Sequence, residues 1–236
     1  MKYLTLIFFL SFIITSCSNS NKNSNKKNIK KDTIFIEKEY NKDDRYAVFV
    51  APNKNSEYYD YISDYSFGKF DHQSYKESLD YLKRKKLELS KVSINDFPKN
   101  WILLHQYKGK HYVYSPNDYY FHYKIKITNN SYIDFSGEGP SANKILDYKK
   151  IDQNTFQFIL TGIGRNGRKV LIHLIDKNAG IAVFEEVSLD QEKYYYLMVD
   201  AHKIRNFPLI VNYSIHNKRH EISFDKIDFQ SLLKGK

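Results

Sequence analysis

This sequence predicts a mainly β protein whose strands run as an antiparallel meander, closing into a barrel or curling into a strongly curved sheet. Helix is expected only at the edges, as one amphipathic helix before the meander and short helices at the C-terminus. Three observations carry that expectation. Residues 119–128 alternate strictly, with Tyr119, Phe121, Tyr123, Ile125 and Ile127 on one face and Tyr120, His122, Lys124, Lys126 and Thr128 on the other. That is the period of a half-buried strand. Asn166-Gly167 and the weaker Lys108-Gly109 are hairpin dipeptides, because both central residues of a type I′ turn take positive φ. From Trp101 onward at least seven strand-like runs follow at short spacing, as in a meander.

Taken in order, 33–37 and 46–50 read as short strands, and 53–71, rich in Tyr, Asp and Ser without a period, reads as loop. Ser74-Tyr75-Lys76-Glu77 forms a capping box, and Tyr75, Leu79, Leu82 and Leu89 then recur on one helical face while Lys83 to Lys86 point away. Pro98 marks the exit. After residues 119–128 come strands at 131–136 and 144–150, joined by Gly137-Glu138-Gly139-Pro140, a tight connection needing glycine for positive φ and proline for stiffness. Residues 153–162 and 168–176 form the hairpin about Asn166-Gly167, and 181–185 and 194–199 complete the series. Short helices are expected at 200–206, before Pro208, and at 225–233, before Gly235.

The first residues have a different purpose. Lys2 precedes an apolar run from Leu4 to Ile14, too short for the roughly 20 residues that cross a bilayer. Ile14-Thr15-Ser16-Cys17 follows, and it resembles the lipobox of bacterial lipoproteins. The resemblance implies a signal peptide over 1–16, cleavage between Ser16 and Cys17, and lipid on Cys17. Cys17 is the only cysteine, so no intramolecular disulfide forms, and a domain of this size needs none. Two or three acyl chains, each methylene contributing about 0.8 kcal/mol, make a stable anchor. Residues 17–31 then read as a lipidated, disordered tether. Thirteen of the fourteen residues from Ser18 to Lys31 are Ser, Asn or Lys and bury no apolar surface. Residues 32–236 form a single β-rich domain with an N-terminal elaboration to about 97. The expected address is the cell envelope, lipid-anchored to a membrane and facing an extracytoplasmic compartment, the outer membrane in a Gram-negative host.

Asn100-Trp101-Ile102-Leu103-Leu104-His105-Gln106-Tyr107, a tryptophan on the first meander strand, followed by Tyr-rich strands and a late helix, is similar to the lipocalin barrels. Lys99 stands where that family usually has a glycine. The resemblance implies a lumen for a small apolar ligand, or a barrel used to bind protein.

The formal charge is +10, but lysines mix with Asp and Glu beyond the tether, and six arginines stand against thirty-one lysines. Arginine is the better phosphate reader, and no RNP-like or zinc-finger pattern occurs, so nucleic acid is excluded as partner. No G-x-S-x-G, H-E-x-x-H, P-loop or G-x-G-x-x-G is present, so no catalytic residues, metal site or cofactor are assigned. In a two-residue hairpin His105 faces Tyr112 and His111 faces Gln106, on opposite faces and unfit to share a metal. His216 and His220 lie in a stretch without a helical apolar face. Glu138, between two glycines, is the one loop candidate for a ligand contact. Three classes remain: a tethered non-catalytic binding or interaction module of unknown ligand, with an envelope protein among the candidate partners; a carrier of a small apolar ligand; and a hydrolase using scattered carboxylates and histidines.

Overall fold

A computed structural model describes residues 34–40, 45–95, 97–163, 167–215 and 219–234, apart from the side chains of Tyr40 and Tyr119. All fall in one compact unit, Asp32–Lys236. The leader, Cys17 and the tether lie outside the described residues, as do Asn166 and His216.

In chain order the elements are β1 (Ile34–Tyr40), β2 (Arg45–Val50), α1 (Glu57–Ser63), α2 (Lys69–Arg84), β3 (Asn100–Tyr107), β4 (Lys110–Ser115), β5 (Lys124–Ile127), β6 (Ser131–Ser136), β7 (Gly139–Lys150), β8 (Thr155–Gly162), β9 (Arg168–Asp176), β10 (Ile181–Val187), β11 (Lys193–Asp200), β12 (Leu209–Ser214) and α3 (Phe229–Lys234). Strands β5 to β11 pair consecutively and antiparallel. The first half of β3 closes the ring, pairing Trp101 with Asp200 on one side and with Ile125 on the other. The result is a closed eight-stranded antiparallel barrel, the size whose interior side chains just fill. Alternation along each strand sends Trp101, Ile125, Phe156, Phe158, Leu160, Ile172, Phe184 and Met198 inward into one core.

The second half of β3 leaves the barrel and enters a flanking sheet ordered β1-β2-β12-β4-β3. There β12 runs parallel to β4. A second core, built on Leu104, Val113, Val183, Leu197, Val199 and Leu209, joins this sheet to the outer wall of the barrel, with Tyr59 and Ile62 of α1 covering it. The segment 219–225 straps the flanking sheet: Phe224 stacks on His105 at 4.0 Å, and the Asp225 N–H donates to the Gln106 carbonyl at 2.8 Å. Between α2 and β3, Ile94 and Phe97 plug one end of the barrel, Phe97 meeting Phe156 at 4.6 Å.

The β3–β4 hairpin register stands as expected, His105 pairing with Tyr112 and His111 with Gln106. Strands β8 and β9 also pair, and Gly167 has a φ of +67°, but β8 ends at Gly162 and Leu160 lies opposite Arg168, so the connection is longer than the two-residue turn expected at Asn166-Gly167. Five elements differ. Residues 53–71 are not loop: Ser56 caps α1, its Oγ accepting from the Tyr58 N–H, and Tyr59 and Ile62 bury one face. Helix α2 starts at Lys69, five residues before the expected cap, because the Asp71 carboxylate accepts from the Gly68 N–H; it ends at Arg84, so Leu89 is not helical. Ser74 lies inside the helix, its Oγ donating to the Glu138 carbonyl at 3.1 Å. Residues 119–128 are not one strand, since Tyr119–Phe121 form a 3₁₀ turn and only β5 follows. Strand β7 begins at Gly139, and the last helix is only Phe229–Lys234.

Candidate functional site

Among the described residues, side chains fill the lumen. Trp101, Phe158, Leu160, Ile172, Ala182 and Met198 are 0 % exposed, and a void wide enough for water would expose its lining. Toward the end bounded by the 137–138 and 188–192 turns, the core turns polar. Arg168, at the start of β9, is held between Asp134 of β6 and Glu186 of β10, the latter at 2.7 Å. Its guanidinium lies 5.3 Å over the Tyr132 ring. Asp134 also accepts from Tyr123 Oη at 3.1 Å and from Asn143 Nδ2 at 2.9 Å. Burial works against the Arg168 charge, but the two carboxylates outweigh it and hold its pKa well above the ordinary value. Burial first, and Asp134 second, push the Tyr123 phenol far up. A fixed triad of this kind, with Arg168 Nε alone lacking a partner among the described residues, is a structural ion network: its carboxylates are committed to one cation.

Above this network the rim carries exposed rings. Tyr61 of α1, Phe70 of α2, and Tyr120 and Phe121 of the 3₁₀ turn are 55–67 % exposed. They are contiguous: Tyr61 touches His122 at 5.4 Å, Tyr120 and Phe121 lie 5.9 Å apart, and Tyr120 and Phe70 both press on the turn that carries Glu138. A Cβ on Gly137 would lie 2.3 Å from Tyr120 Cα, so glycine is required there for the turn to close. Glu138 itself is exposed among these rings, its backbone carbonyl tied to Ser74. The alternation that placed Phe121 in the core thus fails, and the ring faces outward.

Beneath the rim lies Lys124, expected at the water-facing surface and found largely covered by the α1–α2 connector. Its Nζ donates to the Asp64 carbonyl and sits 4.9 Å over Tyr65 and 5.5 Å over Phe135. Burial lowers its pKa to about 8, opposed by Asp64 and Asp71. His122 and His105 line the same small niche, of about 20 Å³. Burial lowers both imidazoles to about 4, with Lys124 adding to the effect at His122. His122 is therefore not a water-facing group, whereas Tyr123, Ile125 and Ile127 point into the barrel as expected. No local pattern marks this niche, because its lining gathers residues of α1, β3, β4, β5 and the segment 116–123.

Two further polar clusters stabilise the scaffold. Tyr114 Oη donates to Glu221, which also accepts from Asn212 Nδ2 at 3.1 Å, and Tyr46 and His220 meet at Glu37 at 3.3 Å each. On the outer wall, Glu185 pairs with Lys193 at 2.8 Å and approaches His173 at 3.6 Å. Among the described residues no three His, Cys, Asp or Glu side chains gather as a metal site requires. No described helix is long and apolar enough to cross a membrane. No family model, curated protein or solved structure matches this chain.

Proposed function

We propose that this protein is a membrane-tethered lipoprotein of the cell envelope, held by lipid on Cys17, whose barrel is a non-catalytic module that docks an envelope protein on its aromatic rim. The rim carries the reading. Four large rings stay in water on three elements of one barrel end while the lumen is filled, and contiguous exposed apolar surface of this kind marks interaction sites. Tyrosine and phenylalanine are enriched at protein interfaces, where rigid rings supply area at low entropic cost. A photo-crosslinking residue in place of Tyr120 should give a discrete crosslinked product in host cells, and one in place of exposed Tyr213 of the flanking sheet should not; equal labelling at both overturns the rim. The barrel is equally the scaffold of a carrier for a small apolar ligand. That alternative requires the packed lumen to open, and native mass spectrometry of host-purified chain decides it. A stoichiometric co-purifying lipid or other apolar molecule would establish the carrier.

A further inference from the structure

At the barrel end opposite the rim, the segment entering β3, the last residues of β5 and the turn into β6 border an open groove of about 700 Å³. That size is typical of small-molecule sites, roughly 300 to 1,000 Å³. Three lysines, Lys91, Lys99 and Lys126, are among its lining residues, and no carboxylate is. The frame is firm. Lys126 stands half-buried on a barrel strand, and Lys99 Nζ donates to Asn129 Oδ1 at 3.0 Å. The turn is knitted by Thr128 Oγ1 to Asn130 and Ser131 and tied to the incoming segment by the Val92 N–H on the Asn129 carbonyl. Asn100, the first residue of β3, completes the lining. Like charges drawn to one concavity raise its potential, and a multiply charged anion relieves their repulsion.

From this geometry we infer that the groove binds a phosphoryl group, with the three ammoniums as point charges on its oxygens. The same chemistry is offered by the headgroup of an anionic phospholipid and by a soluble phosphorylated molecule. The site is independent of the rim and of any protein docked there. Calorimetry on the full chain in neutral detergent, with pyrophosphate as probe, should show one binding event that weakens with salt. Lys99→Gln and Lys126→Gln should each weaken it about five- to tenfold, while Lys110→Gln, on the distant β3–β4 hairpin, leaves it unchanged. Native mass spectrometry with phosphatidylglycerol and phosphatidylcholine separates the sources. Retention of phosphatidylglycerol alone, lost in Lys126→Gln, identifies a headgroup; pyrophosphate binding without lipid retention identifies a soluble ligand. Both outcomes support the site. If neither probe binds, or if Lys110→Gln weakens binding as much as the groove variants, the groove is not a phosphoryl site.

Discussion

Lys124 shows how one residue's role depends on what folds over it. A lysine whose pKa is lowered to about 8 holds fewer protons in the folded chain than in the unfolded chain, where it titrates near 10.4. Stability therefore rises with pH from about 8 to 10.4, and below 8 the buried charge costs on the order of 2 to 3 kcal/mol. Urea unfolding of wild type and Lys124→Met across that window should show a steeper rise in the wild type; parallel curves would mean the amine is solvated. The histidines act at the other side of neutrality. Since His105 and His122 stay neutral down to about 4, stability falls as pH drops from about 6.5 to 4. His105→Phe should flatten that acid limb. Arg168→Met strands two buried carboxylates and should cost about 3 to 5 kcal/mol by the same assay. Phe121→Ala should cost under about 1 kcal/mol, because a ring 55 % exposed leaves little cavity. A loss as large as that of a core phenylalanine would place Phe121 inside.

Among the elements, hairpins were legible and the helical edge was not. Lys108-Gly109 is a local signal whose turn chemistry set the β3–β4 register, whereas Asn166-Gly167 marked where β8 and β9 connect but not their register, which places Leu160 opposite Arg168. Helix α1 was missed because its buried face is a tyrosine and an isoleucine, Tyr59 and Ile62, set among Tyr58 and Tyr61 with no aliphatic stripe to count. Its stability comes from packing on the second core. The start of α2 was misplaced because Ser74 has the form of a cap, yet Asp71 supplies the bond three residues earlier. The break in 119–128 is likewise tertiary, since Tyr120 must lie against Gly137. Gly137→Ala should therefore push the 3₁₀ turn off the 137–138 turn, costing about 1 to 3 kcal/mol. Faster proteolysis at Tyr120–Phe121 would report the displacement, and unchanged cleavage would show that the turn has slack.

For the whole molecule, closure rests on β3, which pairs with two barrel strands and then crosses to the flanking sheet. Trp101 sits at that junction, wholly buried, its Nε1 donating to the Pro98 carbonyl at 2.8 Å and its own carbonyl accepting from Tyr65 Oη at the same distance. Trp101→Ala should cost about 3 to 5 kcal/mol in chemical unfolding; a smaller loss would mean that closure does not depend on it. The sheet's remaining edge, β1, carries Glu37, Lys38 and Glu39, charges that discourage edge-to-edge pairing. At the anchor, Cys17→Ser should abolish palmitate labelling and membrane retention of the full chain, and persistent labelling would rule out lipid at that position.

By itself the sequence determined the β class, the meander, the β3–β4 hairpin register and the inward face of β5, because period-two alternation and turn dipeptides act over a few residues. It also raised the lipid anchor as an expectation. Only the tertiary structure decided that the barrel closes through β3, that β12 lies parallel beside β4, that Phe121 stands in water and that Lys124 does not. Each of those depends on residues tens of positions apart meeting in space. Pairing partners are chosen by the burial of whole faces, and no local pattern encodes what covers a strand's outer side.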